Sequence, residues 1–301
     1  MKALSNEQAQ TIRDVIDAGL TKMPEAALEK DIHLTDVLLA LKRLPTDANL
    51  VFCGGTSLSK CFQAINRMSE DVDFKFHIED AVSITSGRKA RSVYKNEIQE
   101  HLNASGFDTS IRHQENGNLF FSFEVRYESK FEKLQSLRES ILLEFTHVDG
   151  KPHSVTRPIR EIINEAQSIY PDLGEIECLT IEQTIAEKVL SFLRRAPDRS
   201  LATFDPRIVR HIYDIHALTK LGSRDFESIA RYFELAISHD ESRYGLNRLM
   251  LKQSLESLQQ SKANYAGLHK DFVVDLTTDA MSDFDECWQV FVDAASELLK
   301  N

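Results

Sequence analysis

The segment from Asp71 to Phe76 alternates strictly between polar and apolar residues, and it restricts the fold more than any other part of the sequence. Successive side chains on a β-strand point to opposite faces of the sheet. One face of this segment is therefore wholly apolar, whereas the other carries Asp71, Asp73 and Lys75. The alternation predicts a strand with one buried face and with two carboxylates on the other.

Those two carboxylates are the sharpest chemical feature of the chain. On a strand, side chains at positions i and i+2 lie about 7 Å apart along the backbone, and neighbouring carboxylates repel each other unless a positive charge lies between them. Mg²⁺ typically binds one or two carboxylates together with substrate phosphates. Asp71 and Asp73 are therefore candidate metal ligands, and the alternative is the solvated face of an edge strand. Glu144, in a second alternating run, is either a third ligand or an ordinary half-exposed residue.

A glycine turn lies one predicted helix upstream of these acids. The apolar run 50–53 ends at Gly54-Gly55, and helical spacing resumes at Thr56. Glycines in such a turn allow backbone amides to approach phosphate oxygens, and the start of a helix adds a favourable partial charge. The alternative is a structural turn in which Thr56 or Ser57 caps the helix. The turn is not a Walker A loop, because no glycine precedes Lys60.

The chain length of 301 residues predicts about two domains. Strand patterns continue to about residue 150 and include a hairpin at residues 107–127 whose turn is Asn116-Gly117. Beyond residue 150, the capping box of Thr180 and Gln183 and the apolar spacing that follows it predict helices. We therefore predict an α/β domain at residues 1–150 and an all-helical domain at residues 151–301.

The composition excludes several classes of protein. Hydrophobic residues make up 42% and charged residues 28%, which is typical of a globular chain and excludes wholesale disorder. The net charge of −11 disfavours a protein that coats duplex nucleic acid, although it leaves room for a local basic groove. No apolar run approaches the roughly 20 residues of a membrane helix, and the N-terminus lacks a signal-peptide pattern. Four scattered cysteines indicate reduced thiols, so we expect a cytoplasmic protein.

Two clusters of basic residues interrupt this acidic composition and are candidate tracks for RNA phosphates. The first lies in residues 86–95, a stretch without an acidic side chain. The members are Arg88, Lys89, Arg91 and Lys95 in the first cluster, and Arg194, Arg195, Arg199, Arg207 and Arg210 in the second. The alternative is that both clusters are solvated helix faces.

Five blocks of the sequence resemble the AbiEii/AbiGii nucleotidyltransferase toxins, which include the MenT toxins and belong to the polymerase-β-like nucleotidyltransferase superfamily. One block precedes the glycine turn, and the next two contain the turn and the acidic residues of the strand. The last two are similar to the family's helical lysine motif and to its final aspartate motif. The blocks are residues 29–38, 52–60, 67–74, 187–195 and 210–215, and they follow the family's order.

The resemblance implies an α+β fold. A polymerase-β-like nucleotidyltransferase mixed sheet with flanking helices would be followed by an all-helical C-terminal domain, with the active site in the cleft between them. The implied reaction is Mg²⁺- or Mn²⁺-dependent transfer of a nucleoside monophosphate from an NTP to an acceptor hydroxyl, with release of pyrophosphate. In some members the acceptor is the 3′ end of tRNA, and an antitoxin protein restrains the toxin in a type IV system or in phage defence. Modification of a protein or a small molecule, and nucleotide binding without catalysis, are the alternatives.

The resemblance also implies roles for individual residues. Asp71 and Asp73 would hold the metal ion, and Lys188 would bind the triphosphate. This division suits phosphoryl transfer, in which catalysis is mostly positioning and charge neutralisation. The implied nucleotide-binding residues are Gly54, Gly55, Thr56, Ser57, Lys60 and Arg195.

Two further residues have expected roles near these groups. Asp214, in the last block, is either a base toward the acceptor hydroxyl or the residue that fixes Lys188. Its spacing also allows an ordinary i, i+4 ion pair with Arg210. Ser69 lies two residues before Asp71, so we expect its phosphorylation to compete for Mg²⁺ and to inhibit the protein.

Overall fold

The structure is a computed structural model that describes residues 1–79, 83–134, 137–195, 205–222, 225–273 and 283–300. The chain forms two compact units. The first, here called the sheet unit, comprises Met1–Gln63 and Met68–Leu179. The second, here called the helical unit, comprises Ala64–Arg67 and Thr180–Asn301.

Within the described residues, the sheet unit contains one mixed sheet of eight strands in the order β1-β5-β6-β3-β2-β8-β7, with β4 paired to β5. The strands are β1 (Lys2–Ala3), β2 (Asn49–Cys53), β3 (Asp71–His77), β4 (Asp108–Glu115), β5 (Phe120–Glu128), β6 (Ile141–His147), β7 (Ser154–Pro158) and β8 (Glu175–Leu179). Its helices are α1 (Asn6–Asp17), α2 (Glu25–Lys42), α3 (Gly54–Lys60), α4 (Ile84–Ala104) and α5 (Ile162–Ala166).

The alternating segment forms β3, as its pattern predicts. β3 pairs with β2 in antiparallel and with β6 in parallel orientation, so it lies inside the sheet. The alternative of an edge strand is therefore wrong. Its apolar face is buried in an aromatic core, where the ring of Phe74 stacks on Phe145 at 5.4 Å and Phe145 stacks on Phe121 at 5.0 Å.

The predicted boundary at residue 150 differs from the division seen in the structure. The chain continues in the sheet through β7 and β8, and β8 pairs in parallel with β2, so the compact units divide after Leu179. Each of these two strands has only five residues. A run this short carries a weak periodic signal, and its identity as a strand comes from pairing with a distant partner.

Helices make up the second unit, as predicted for the C-terminal part. They are α6 (Ile181–Arg195), a short 3₁₀ helix (Pro206–Val209), α7 (Arg210–Lys220), α8 (Phe226–Tyr244), α9 (Arg248–Gln260), α10 (Ala263–Val273) and α11 (Phe284–Leu298). Aromatic rings fill its core, where the ring centroid of Phe192 on α6 lies 4.8 Å from that of Phe291 on α11 and 5.7 Å from that of Tyr265 on α10.

All four cysteines are buried and free, as the prediction of reduced thiols requires. None of the described helices combines the length and the apolar character that crossing a membrane would demand.

Helix α2 carries three consecutive charged residues that are almost completely buried. Glu29, Lys30 and Asp31 are 0%, 0% and 2% exposed. A buried charge is tolerated only when it is paired and hydrogen-bonded. Glu29 meets this requirement by accepting hydrogen bonds from the backbone N–H of Lys130 at 2.8 Å and from the hydroxyl of Ser129 at 2.5 Å.

The two neighbouring charges anchor other parts of the sheet unit. Nζ of Lys30 lies 3.1 Å from the carboxylate of Glu70, the residue before β3, and donates to the carbonyl of Arg138 at 2.8 Å. Burial lowers the pKa of Lys30, and the carboxylate of Glu70 opposes that effect. Nζ of Lys60, at the end of α3, lies 2.6 Å from Oδ1 of Asp31. Helix α2 thereby fixes the end of α3 and the residue that precedes the acidic strand.

Replacing Asp31 by alanine is expected to destabilise the protein by about 3–5 kcal/mol, because Lys60 would remain as a buried charge without its carboxylate. The backbone N–H of Ile162, 2.9 Å from the second oxygen of Asp31, would also lose its acceptor. Urea denaturation measures the cost. The control is Glu139→Ala, which removes an exposed partner of Lys133 and should cost under about 1 kcal/mol. Equal costs for the two variants would contradict the role assigned to the buried pair.

Candidate active site

The glycine turn lies directly against the acidic strand. β2 ends at Cys53, whose register partner on β3 is Asp73, and α3 begins at Gly54 with a φ of +77°. A Cβ at Gly54 would overlap a carboxylate oxygen of Asp73 and would lie 3.0 Å from its Cγ. Glycine is required at this position for two independent reasons, the left-handed backbone and the approach of the carboxylate.

The acidic side chains share one face of the sheet. Asp73 is the register partner of Glu144 on the parallel strand β6, and Asp71 is the partner of Leu142. Partners in a parallel ladder project to the same side, so Glu144 lies beside Asp73. Still, no three His, Cys, Asp or Glu side chains in the described part of the chain are placed to hold a metal ion together. The donor set that fits a metal is the pair Asp71 and Asp73, which suits Mg²⁺ when substrate phosphates complete its shell.

A cation lies beside this pair. Nη1 of Arg138 is 3.3 Å from Oδ1 of Asp71, and both side chains are partly exposed, at 18% and 31%. The backbone N–H of Arg138 donates to the carboxylate of Glu70 at 2.8 Å. The sequence did not single out Arg138, because it lies outside every motif and reaches Asp71 only through the fold.

The hydroxyls of the turn bind the protein's own backbone. Thr56 donates to the carbonyl of Asp71, and Ser57 donates to the carbonyl of Gly54 at 3.0 Å. Both side chains are buried. Neither hydroxyl caps the helix as the structural alternative expected, because the N-cap residue of α3 is Cys53 and no side chain caps it. Thr56 instead fixes the turn to β3, and Ser57 bonds within the turn.

Lys60 is also placed differently from its predicted role. It is 3% exposed, and its ammonium group binds the carboxylate and the backbone carbonyl of Asp31. Its contacts are those of a structural ion pair, and its binding of nucleotide stays a prediction. The sequence placed it in the same block as the glycine turn, but it lies at the opposite end of α3.

A second cluster of charges lies in the helical unit. Nζ of Lys188 on α6 is 2.8 Å from Oδ2 of Asp214 on α7. Arg67 binds the same carboxylate in a bidentate manner, with Nε 2.7 Å from Oδ1 and Nη2 2.7 Å from Oδ2. Asp214 is fully buried, and Lys188 is 7% exposed. Two cations thus converge on one buried carboxylate.

The contacts of Asp214 bear on the two roles expected for it. Burial alone would raise its pKa, but the charges of Arg67 and Lys188 hold the pKa below its usual range. A depressed pKa makes a carboxylate a weaker general base, so these contacts favour the role of fixing Lys188, which stays a prediction. Nε of Arg210 donates to the carbonyl of Phe272 at 3.0 Å.

His211 completes the surroundings of Lys188. Burial, together with the positive charges of Lys188, Arg195 and Arg67, lowers the pKa of His211 well below its ordinary value. In the sequence, Arg67 is marked only by its membership of the block 67–74, and His211 only by its membership of the block that contains Asp214. Neither signal was specific enough to mark a site residue.

The remaining predicted residues are less closely tied to these clusters. Arg195 is exposed and donates to the hydroxyl of Ser191 at 2.5 Å. Ser69 is 8% exposed, so a modifying enzyme would reach its hydroxyl only after local opening.

Several members of the two basic clusters bind other parts of the protein. Lys95 is buried and donates to Gln114 at 2.6 Å, and Arg91 donates to the carbonyl of Gly117 at 3.0 Å. In the second cluster Arg194 pairs with Asp240 at 2.7 Å, and Arg199 lies outside the described residues. Each cluster therefore offers fewer cations to a ligand than the sequence indicates.

Comparison with known proteins identifies a family and a similar fold. Residues 36–290 match a family described as nucleotidyl transferase AbiEii toxin, type IV TA system. Among solved structures, the chain is similar to MenT4, a nucleotidyltransferase toxin from Mycobacterium tuberculosis H37Rv, with a TM-score of 0.55 and 19% identity over 98% of this chain and 99% of that chain. The likeness confirms the predicted mixed sheet followed by helices. A search of curated proteins found no match.

Gly54→Ala is expected to destabilise the protein by at least about 1–3 kcal/mol more than Gly19→Ala, because a methyl group would overlap the Asp73 carboxylate. Gly19 is the matched control, since it also has a left-handed backbone, with a φ of +68°, but open space around it. Denaturant unfolding measures both. The double variant Gly54→Ala/Asp73→Ala should recover part of the loss. Equal destabilisation by the two glycine substitutions would contradict the close approach.

Asp214→Asn is expected to cost about 3–5 kcal/mol at pH 7, because Arg67 and Lys188 would keep buried charges without a carboxylate. The folded state depresses the pKa of Asp214, so its stabilisation is complete above about pH 4 and is lost as the pH falls further. The stability difference between the wild type and the variant should therefore narrow below about pH 4. Asp293→Asn, at an exposed position of α11, is the control. A difference that stays constant down to acid unfolding would contradict this role.

Proposed function

Because the chain belongs to the AbiEii family of nucleotidyltransferase toxins of type IV toxin–antitoxin systems, we propose that it transfers a nucleoside monophosphate from an NTP to the 3′ end of a tRNA. The reaction would use Mg²⁺ and release pyrophosphate. The observation that carries the proposal is the packing of the Gly54 turn against the Asp73 carboxylate, beside Asp71 on an interior strand. In that arrangement, backbone without a side chain lies next to two carboxylates. Recognition of a Mg²⁺–triphosphate complex needs backbone N–H groups for the phosphates and carboxylates for the metal.

In the proposed mechanism Asp71 and Asp73 would hold Mg²⁺, which would supply neutralisation of the triphosphate charge and a lower pKa of the attacking hydroxyl. The rigid turn at Gly54 and Gly55 keeps Asp73 in place and lets a phosphate approach the backbone amides. Thr56 supports this geometry by tying the turn to the carbonyl of Asp71. Because phosphoryl transfer requires mostly positioning and charge neutralisation, fixed groups of this kind are suited to it.

Lys188 is the proposed cation for the triphosphate. Its ammonium group is held by Asp214, which is itself held by Arg67. A lysine fixed in this way keeps its position and charge, so less entropy is lost when it binds an anion. We assign Asp214 to fixing Lys188 and not to removing the proton of the acceptor hydroxyl. Arg195 would add a more mobile positive charge on the same helix.

The tRNA acceptor and an antitoxin partner are the finer parts of this proposal. They rest on the resemblance of the sequence blocks to family members that act on tRNA. The tRNA acceptor also rests on Arg88 and Lys89 of α4, which are exposed. RNA-binding proteins use such cations for phosphate contacts. A protein or small-molecule acceptor is the alternative.

Incubation of the protein with each α-labelled NTP, Mg²⁺ and total tRNA is expected to label an RNA band. Asp71→Asn and Asp73→Asn should each lower the rate at least about 100-fold, because charge neutralisation at the triphosphate would be lost. Asp108→Asn, at an exposed strand position, is the matched control and should keep the wild-type rate.

The other outcomes of this experiment are distinct. Label on protein would keep the transfer reaction and replace the tRNA acceptor. Label that persists in both aspartate variants would contradict the assigned metal site. No label with any NTP, from protein that is folded, would contradict the proposed tRNA reaction.

A further inference from the structure

We propose that Arg138 is a nucleotide-phosphate-binding residue that pairs with Asp71 only while no substrate is bound. Arrival of the metal–NTP complex would transfer Asp71 to the metal ion and Arg138 to the triphosphate. This inference rests on the proposed function, because it assigns a further residue to the same site. It also predicts that metal and NTP assist each other's binding.

The first support is the way in which the fold places Arg138. Its backbone N–H donates to Glu70 at 2.8 Å, and its backbone carbonyl accepts from Lys30 at 2.8 Å. Lys30 and Glu70 are themselves paired at 3.1 Å, with side chains 0% and 1% exposed. A closed and buried set of charge-assisted bonds therefore fixes the main chain of Arg138 to the residue that precedes Asp71.

The second support is the contrast between the main chain and the side chain of Arg138. The main chain is bound by buried charges, whereas the guanidinium group is 18% exposed and faces a carboxylate that is 31% exposed. The two paired atoms, Nη1 and Oδ1, are buried, but the rest of each side chain is partly open to solvent and therefore to a ligand. The buried network thus keeps a guanidinium group next to Asp71, at a place that a ligand can reach.

The third support is electrostatic. A metal ion on Asp71 would lie within a few ångströms of the guanidinium group, and two positive charges at that distance repel each other. Triphosphate oxygens arrive together with the metal, and they offer the guanidinium group an anion in exchange for Asp71. Arginine is suited to this exchange because its planar group binds carboxylate and phosphate with the same fork of N–H donors.

The exchange has a measurable consequence. Without NTP, Arg138 competes with a metal ion for Asp71, so the metal alone binds weakly. With NTP bound, the competitor has another partner, and the metal binds more tightly. By linkage, the metal must raise the affinity for NTP by the same factor.

Arg138→Gln tests the proposal through binding and not only through activity. Mn²⁺ binding without nucleotide is measured by electron paramagnetic resonance, and binding of the four α,β-methylene NTP analogues with Mn²⁺ is measured by calorimetry. The variant should bind Mn²⁺ alone about threefold more tightly and the preferred analogue at least about tenfold more weakly, which reduces the coupling. Arg138→Lys, which keeps the charge, should recover much of the analogue affinity.

The controls separate this inference from the proposed function. Arg126→Gln removes a half-exposed arginine of β5 that pairs with Glu124, and it should change neither affinity. The fold of Arg138→Gln should survive, because Lys30 and Glu70 bind main-chain atoms at this position, and the melting temperature checks this. Wild-type affinities in Arg138→Gln would overturn the inference alone. A wild-type protein that binds none of the analogues with Mn²⁺ would overturn the proposed function as well.

Discussion

The burial of three consecutive charges on α2 is the constraint on which the sheet unit depends. Each charge must find a partner in the interior, and the partners come from three different parts of the chain: residues 129–130, the segment around Glu70, and the end of α3. Because an unpaired buried charge costs several kcal/mol, the chain has little freedom in how these segments meet. The acidic strand and the glycine turn are therefore held from both sides by groups that take no part in chemistry.

Lys60 and Lys188 show that the role of a lysine in a motif depends on the partners that the fold gives it. Both lysines lie within the sequence blocks, and both are buried beside an aspartate. Lys60 has Asp31 and a backbone carbonyl as partners and completes a structural pair. Lys188 shares Asp214 with Arg67, so two positive charges face one negative charge. Lys188 therefore lies beside a second cation on one carboxylate, whereas Lys60 is paired with Asp31.

The sequence predicted those features whose signal is local. The alternation of β3 and the glycine turn each lie within a few residues, so periodicity and backbone preference reveal them. The partners Arg67 and Asp214 are 147 positions apart, and Arg138 is 68 positions from Glu70. No local pattern encodes such pairs, because they form only when the fold brings distant segments together. The strands β7 and β8 were missed for the same reason, since their pairing with each other and with β2 defines them.

The aspartates of the two clusters differ in how their charge is neutralised. Asp214 is fully buried and bound by two cations through short hydrogen bonds, so its partners have no competing solvent and the arrangement is permanent. The side chain of Asp71 is partly exposed and lies at a longer distance, 3.3 Å, from Arg138. A partly exposed carboxylate can be reached by a ligand from solvent, whereas a fully buried one cannot. The metal-binding role proposed for Asp71 requires such access, and the role proposed for Asp214, to orient Lys188, requires the opposite.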